Sequence, residues 1–305
     1  MNRLLVVYNP RSSRYSDVRK EVLDRLTDLK GYIIGKYEVA HTNIEDNILK
    51  LSKLLKDGDL VISAGGDATG VIASSAILKS GKDATLAVLP YGNFNDLSHT
   101  LGTKTLDNIM QVVSSEPTQS VFYPLEIYIN DKFYRYATCY VTIGMMGEAV
   151  KIYDSPSLRR KLKTNFGRKI SSYTQLAKWY FKNRHKRVFL PDFRLNDVLQ
   201  PSRTSDYAAV NGRYMARVMK GREDFKNPSI FRSKTDRLTN FWRLFNLMAR
   251  SILFRIPGSN TTSDTLEFTE SATITLQSEG ESTSFQNVKT INIRKSKKCL
   301  KVITI

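Results

Sequence analysis

A five-residue segment, "GGDAT" at 65–69, combines residue types that suit phosphate chemistry. It follows an apolar run at 60–64 that is typical of a buried strand. In an open parallel sheet, ligands bind at the carboxyl ends of the strands. There, Gly65 and Gly66 would permit unusual backbone dihedral angles and let a phosphate approach backbone N–H groups. The start of the next helix would add partial positive charge, so the segment predicts a phosphate site.

Asp67 has two candidate roles in such a site. A carboxylate repels phosphate, so it suits holding a cation, with magnesium the first choice, or accepting a proton from an attacking hydroxyl. The alternative is structural, because an aspartate at this point would also cap a helix. Gly-Gly-Asp is too short a motif to decide between these roles.

Two other loops follow predicted strands and carry similar residues. "YNPRSS" at 8–13 contains Asn9, and "LPYGNFNDLSHTLG" at 89–102 contains Gly92, Asn95 and Asp96. Because the carboxyl ends of parallel strands meet at one edge of a sheet, we expect the three loops to surround one nucleotide.

The elements that would position these loops follow an alternating pattern in the first third of the chain. Apolar runs predict strands, and apolar residues at helical spacing predict helices between them. This rhythm indicates an α/β fold with a parallel sheet and helices on both faces. The predicted strands are 4–8, 37–41, 60–64 and 85–89, and the predicted helices are 16–29, 44–56, 68–78 and 106–113.

The pattern becomes mainly β after about residue 120, with strand-like runs at 121–150 and from 260 onward. We therefore predict an α/β nucleotide-binding domain over 1–120 and a β-rich domain over 121–294. Residues 295–305 are a candidate to rejoin the first domain.

Composition narrows the classes of function. The 305 residues carry a formal net charge of +18, which favours nucleic acid, an anionic membrane surface or phosphorylated ligands as partners. Two distant cysteines and three histidines have no metal-ligand spacing, which argues against zinc chemistry, and the cysteines give no indication of an oxidising compartment. The apolar run at 4–8 is too short for a signal peptide or membrane span. We expect a cytoplasmic protein, peripheral at a membrane.

Five segments in register resemble the diacylglycerol kinase catalytic-domain family, which includes bacterial lipid kinases and sphingosine and ceramide kinases. More distantly, the chain resembles the NAD kinases. The segments are "NPRSS", "GGDAT", "PYGNFND", "TIGMMGEAV" at 142–150 and "SEGES" at 278–282, and "SY" at 172–173 also fits. Their order and spacing match over nearly the whole chain.

The resemblance implies an ATP- and Mg-dependent kinase that phosphorylates a lipid hydroxyl, diacylglycerol-like, in a cleft between an NAD kinase-like α/β domain and a β-sandwich-like domain. It implies Asp67 and Glu279 as catalytic residues, with Glu279 as the base, and Asp67 and Glu281 on the metal. The nucleotide side would comprise Asn9, Gly65, Gly66, Asp67, Thr69, Gly92, Asn95 and Asp96.

Several positions depart from the family pattern. Ala68 replaces a glycine, and Val71-Ile72 replaces an Asn-Glu pair. Glu279 replaces an aspartate, and its extra methylene could misplace a base by over ~1 Å, which would cost roughly 100-fold in rate. These departures keep an alternative open, which is a catalytically weakened nucleotide- or lipid-binding regulator.

Two basic segments, 157–190 and 237–258, suit an anionic membrane surface. A solvated face over a core helix is the structural alternative for each. Binding to nucleic acid is the rival use of the charge, but no recognised nucleic-acid module is present, and we expect no specific nucleic-acid partner. The sequence does not identify the lipid, and a homodimer stays open.

Overall fold

The computed structural model describes the three loops except residues 13, 93 and 94, two large sheets with a small two-stranded one, and the segment around Glu279. The basic segments 157–190 and 237–258 and the motifs at 145–150 and 172–173 lie almost entirely outside the described residues. Within the described part, no helix is long and apolar enough to cross a bilayer. The described residues are 2–12, 14–40, 43–92, 95–115, 119–144, 147, 174, 178, 190–200, 204–215, 219–220, 230–236 and 258–305.

The first unit alternates strands and helices. Its elements are β1 (Asn2–Tyr8), α1 (Tyr15–Glu21), a 3₁₀ helix (Leu23–Asp28), β2 (Tyr32–Glu38), α2 (Ile44–Leu54), β3 (Leu60–Gly65), α3 (Asp67–Ser80), β4 (Thr85–Pro90), α4 (Asp96–Leu101), α5 (Leu106–Ser114) and β5 (Gln119–Phe122).

Two sequence-based boundaries were wrong. The strand predicted at 37–41 begins earlier, at Tyr32, and it is an edge strand with only β1 beside it, so most of its residues are half-buried or exposed and its apolar pattern is weak. The helix predicted at 16–29 ends as an α-helix at Glu21. Val22 leaves the helical region with φ −123° and ψ −65°, and the chain continues as the 3₁₀ helix.

The first sheet has the order β2-β1-β3-β4-β18-β5, where β18 (Leu300–Ile303) comes from a distant part of the sequence. Strands β1 to β4 are parallel, β18 pairs parallel with β4, and β5 pairs antiparallel with β18. The predicted α/β class is therefore confirmed, and the strand order places the carboxyl ends of β1, β3 and β4 side by side.

Helix α3 is the most deeply buried helix element of the site. All ten residues from Thr69 to Leu78 are buried, and all residues of β3 are buried beside it. A helix that is apolar on all sides must be covered on all sides. The helix ends at Gly81, which adopts the left-handed conformation with φ 67° that favours glycine.

The second unit is an antiparallel β structure, which confirms the predicted mainly β character. Its main path runs β15-β14-β11-β8-β16-β17-β6-β7, with β9 paired to β16 and β10 paired to β9. Its strands are β6 (Leu125–Ile129), β7 (Lys132–Ala137), β8 (Tyr140–Gly144), β9 (Phe193–Leu195), β10 (Val198–Leu199), β11 (Thr204–Val210), β12 (Tyr214–Met215), β13 (Met219–Lys220), β14 (Ile230–Asp236), β15 (Ser259–Thr261), β16 (Ser263–Ser278) and β17 (Glu281–Lys295).

The two units share one hydrophobic core. This cluster joins apolar residues of α3 and α4, such as Ile72 and Leu97, to residues of the second unit. Burying one large aliphatic or aromatic side chain stabilises a fold by roughly 1.5–3 kcal/mol, so the shared cluster holds the units firmly together. The second unit contributes Cys139, Tyr140, Ala208, Val210 and Met215.

Candidate active site

The three predicted loops do meet at one edge of the first sheet. Tyr8 lies beside Ala64, and Gly65 lies beside Pro90, at the carboxyl ends of adjacent strands. The loop after β1 reaches the loop after β4, because the Ser12 hydroxyl donates a 2.7 Å hydrogen bond to the Tyr91 carbonyl. The sequence expectation of one shared edge is met.

Glycine is needed at these loop positions because a Cβ atom would overlap neighbouring atoms, and not because the backbone is left-handed there. Gly66 has φ −90°, and the left-handed glycines of the described chain do not include Gly65, Gly66 or Gly92, so the expectation of unusual dihedral angles at 65 and 66 was wrong. A Cβ atom on Gly92 would overlap the backbone of Gly66, and one on Gly65 would overlap the Thr69 side chain. The glycines allow the two loops to touch through their backbones.

Asp67 ties two helices together. Its own helix α3 has Gly66 as N-cap, without a side-chain cap. The Asp67 carboxylate instead accepts the backbone N–H of Asn95 at 2.9 Å and, more weakly, that of Leu97 at 3.5 Å. The aspartate therefore caps the neighbouring helix α4, and the simple alternative of a cap for its own helix was wrong.

Burial of the Asp67 carboxylate among protein atoms raises its pKa, while its hydrogen bonds from backbone N–H groups act in the opposite direction. Part of the residue surface stays accessible. The oxygens of a carboxylate offer more lone pairs than the two backbone donors use, so the group retains capacity for a cation or a proton.

The two predicted asparagines shape their own loops. Asn95 is buried with φ 59°, and its side chain accepts from Gly92 N at 2.6 Å and donates to Gly92 O at 3.0 Å. The Asn9 side chain accepts from Arg11 N at 3.0 Å. Thr69 is buried as well. These side chains therefore stabilise the loops and offer few polar groups to a ligand.

Glu279 reaches the first unit from the second. It occupies the two-residue turn between β16 and β17, with φ 46° at Glu279 and φ 84° at Gly280. Such a turn needs two left-handed residues, and a glutamate adopts this conformation only at a cost. The structure therefore fixes this carboxylate in one place.

One oxygen of Glu279 is fully engaged. Oε1 accepts hydrogen bonds from Thr138 N, from the Thr138 hydroxyl at 2.9 Å and from Cys139 N at 2.6 Å. The other oxygen, Oε2, is buried without a hydrogen-bond partner. The residue as a whole is 4% exposed.

Burial raises the pKa of Glu279 to about 7, and the negative charge of Asp67 adds to this effect, whereas the three hydrogen bonds lower the pKa. The charges of Asp67, Asp96 and Glu279 also raise the pKa values of Cys139 and Tyr140, after the larger effect of burial. Three acidic residues, from both units, therefore act electrostatically on Cys139 and Tyr140.

Glu281 lies apart from this group. Its carboxylate pairs with the Arg135 guanidinium at 3.3 Å, and its side chain is 38% exposed. Across the described residues, no three or more His, Cys, Asp or Glu side chains are arranged to hold a metal ion by themselves. Magnesium usually binds one or two carboxylates together with substrate phosphates, so Asp67 fits a metal that arrives with a nucleotide.

Comparison with known proteins agrees with this geometry. Residues 3–121 match the diacylglycerol kinase catalytic domain family, which spans the three loops. The resemblance to diacylglycerol kinases is confirmed. A diacylglycerol kinase of Bacillus subtilis (strain 168) is 27% identical over 202 residues, covering 65% of this chain and 59% of that relative, which is under two thirds of its length.

Solved structures share the fold over the full length. A diacylglycerol kinase from Bacillus anthracis str. Sterne has a TM-score of 0.66 at 12% identity, covering 100% of this chain and 97% of the other. A putative diacylglycerol kinase from the same organism has a TM-score of 0.65 at 15% identity, covering 100% and 98%. At these identities the likeness shows the fold alone.

Sequence reasoning missed the residues that join the first unit to the second. Thr138 binds Glu279, which is 141 residues away in sequence. Asn211 donates to Tyr123 O at 2.9 Å and to Thr138 O at 2.8 Å. Cys139 is buried, whereas Cys299 is exposed, so the sequence interpretation of both cysteines as buried fillers was wrong for Cys299. The sequence carries no local signal for the partners of Thr138 and Asn211.

Proposed function

We propose that this protein is an ATP- and Mg-dependent lipid kinase that transfers the γ-phosphate to the hydroxyl of a diacylglycerol-like lipid between the two units. The observation that carries the proposal is that Asp67 and Glu279 act electrostatically on the same buried corner at Cys139. They come from different units, yet they lie close enough for the charge of Asp67 to raise the pKa of Glu279. Phosphoryl transfer needs groups that bind the phosphate to lie opposite groups that bind the attacking hydroxyl.

The first unit supplies the phosphate side. The loops after β1, β3 and β4 form one edge, and α3 directs its N-terminus toward it, where N–H groups and the helix dipole favour phosphate. Asp67 would hold magnesium, which when bound neutralises phosphate charge. Arg11 is exposed in the first loop and is available to phosphate, whereas Arg14 pairs with Asp17 at 2.7 Å.

The second unit supplies two carboxylates for the hydroxyl side. Glu279 has a pKa of about 7 and a free Oε2, which suit a general base at neutral pH. Glu281 is the more accessible of the two and pairs with Arg135, so its proposed role as second metal ligand beside Asp67 rests on the motif alone. Substituting each by glutamine separates their roles.

The first experiment measures transfer of labelled γ-phosphate from Mg-ATP to vesicles that contain diacylglycerol. We expect transfer by the wild type and a loss of roughly 100-fold or more in Asp67→Asn and in Glu279→Gln. Asp57→Asn is the matched control, because Asp57 is a surface residue whose carboxylate pairs with Lys82 at 3.1 Å. Full transfer by Asp67→Asn would refute the assignment.

A specific observation favours a second candidate function, a nucleotide- or lipid-binding regulator without turnover. Three donors bind Oε1 of Glu279, so this residue also has a structural role at the Thr138–Cys139 corner. Ala68 and Ile72 leave two family positions without their usual residues. ATP binding by calorimetry, together with no label in any lipid of a total extract, would favour the regulator.

Contact with an anionic membrane is part of the proposal, since a kinase of this kind must reach a lipid in a bilayer. The net charge of +18 supports it. Sedimentation with vesicles of anionic and of neutral lipid tests the contact, and equal binding to both would contradict it.

A further inference from the structure

The two carboxylates that carry the proposed function are linked through the unit interface by hydrogen bonds that alternate with short backbone segments, and the last bond runs from Asn95 N to Asp67. The Cys139 N–H donates to Glu279 Oε1 at 2.6 Å. The Cys139 carbonyl accepts from Asn211 N at 2.7 Å and from Gly212 N at 2.9 Å. Next along the chain, Arg213 N donates to the Thr100 hydroxyl at 3.0 Å. Thr100 belongs to α4, the helix that begins at Asp96.

The Thr100 hydroxyl is the point where this path crosses between the units. The hydroxyl donates a 2.8 Å hydrogen bond to the Asp96 carbonyl, a common bond for a threonine within a helix. Its oxygen then receives the Arg213 N–H from the second unit. Thr100 is 3% exposed, so loss of the hydroxyl would leave the Arg213 N–H without its partner.

The backbone at Gly212 is packed closely against both units. A Cβ atom there would lie 2.9 Å from Thr100 Oγ1 and 3.1 Å from the Cys139 side chain. The turn at 211–213 is therefore pressed between α4 and the corner that holds Glu279. A shift of α4 relative to this turn would change the position of Asp96 and of the Asp67-bound loop relative to Glu279.

We propose that Thr100 is a positioning residue that fixes helix α4 of the first unit against the 211–213 turn, and thereby sets the phosphate side of the site relative to Glu279. The inference rests on the proposed kinase function for its effect on turnover. The path itself is independent of that function. A misplacement of about 1 Å between reacting groups can cost roughly 100-fold in rate.

The test compares Thr100→Val with Thr100→Ser and Thr103→Val. Valine keeps the shape of threonine without the hydroxyl, and serine keeps the hydroxyl. Thr103 is the matched control: it is 2% exposed, and its hydroxyl donates to the Val88 carbonyl inside the first unit, away from the interface. Circular dichroism and thermal unfolding establish that each variant is folded.

For turnover of Mg-ATP with diacylglycerol vesicles, we expect Thr100→Val to lower kcat on the order of 10- to 100-fold with an unchanged KM for ATP. We expect Thr100→Ser and Thr103→Val to retain the wild-type kcat. Equal kcat values in the two valine variants would overturn the inference, and so would an equal loss in the serine variant.

Hydrogen exchange of the Gly212 and Arg213 amides provides a readout that needs no activity. We expect faster exchange in Thr100→Val and unchanged exchange in Thr103→Val. If the wild type transfers no phosphate, the kinase proposal fails and the exchange result alone decides whether Thr100 holds the turn. Unchanged exchange in Thr100→Val would overturn the positioning role in either case.

Discussion

The Asp67 carboxylate accepts a 2.9 Å hydrogen bond from the backbone N–H of Asn95, across two loops of the first unit. The residue proposed for magnesium binding therefore also holds the start of α4. If the proposal holds, a substitution there changes both turnover and local stability.

The first prediction concerns Asp67→Asn. An asparagine has one acceptor oxygen where aspartate has two, so one of the bonds to Asn95 and Leu97 weakens. We expect a loss of about 1–2 kcal/mol in the free energy of unfolding together with the loss of turnover. Urea denaturation beside the transfer assay measures both. Wild-type stability in the variant would show that the capping bond contributes nothing.

The second prediction is a pH dependence of stability from Glu279. Its pKa is about 7 in the folded protein and 4.5 in its ordinary state, so the folded state binds the proton more tightly. Stability is then fully present below about pH 4.5 and decreases as the pH rises toward 7. The difference in pKa corresponds to at most about 3 kcal/mol.

Glu279→Gln should abolish this contribution, because glutamine does not titrate. The measurement is urea denaturation of wild type and variant at pH values below 5 and above 7. Parallel pH profiles of the two proteins would contradict the raised pKa. Asp67 also has a raised pKa, so both proteins keep a residual decrease of the same sign.

The third prediction concerns the close approach of two loops. Gly92→Ala places a methyl group against the backbone of Gly66 and must push the loops apart. We expect a destabilisation of about 1–3 kcal/mol and weaker binding of ATP by calorimetry.

Gly70→Ala is the control for that variant. Gly70 lies in α3, where a Cβ atom would meet the Leu97 side chain at 3.4 Å, an ordinary contact, and alanine favours a helix. The control should keep ATP binding. Equal ATP affinity in both variants would show that the approach of Gly66 and Gly92 is irrelevant to the nucleotide.

The fourth prediction follows from the shared core. Because Ile72 and Leu97 pack in one cluster with Tyr140 and Val210, neither unit can unfold without exposing apolar surface of the other. We expect a single calorimetric transition, in which the calorimetric and van't Hoff enthalpies agree. Two separate transitions would mean that the interface between the units contributes little to the stability of either unit.

Much of the first unit could be predicted from local patterns. The buried run of β3 and the charge-free interior of α3 are typical of elements covered on all sides, and the glycine and asparagine loops mark the functional edge. The edge strand β2 was placed too late because only one neighbour covers it. The local sequence pattern does not show whether a strand lies at the edge of a sheet or in its middle.

The sequence proposed candidate residues for the site but not the groups that they contact. Short motifs indicated Asp67 and Glu279, but the partner of Asp67 is a backbone group at Asn95, and the partners of Glu279 lie at Thr138 and Cys139. Backbone donors have no sequence signature. Contacts over such separations depend on how the two sheets come together, and the pattern of neither sheet contains this information.

Strand β18 has a consequence for the order of events during synthesis. It lies between β4 and β5 in the first sheet, although residues 300–303 emerge from the ribosome long after both neighbours. The sheet that carries the three glycine- and asparagine-containing loops therefore cannot close while the second unit is still being translated. Until then β4 presents an unpaired edge, and a nascent chain halted before residue 300 would offer that edge to other chains or to a chaperone.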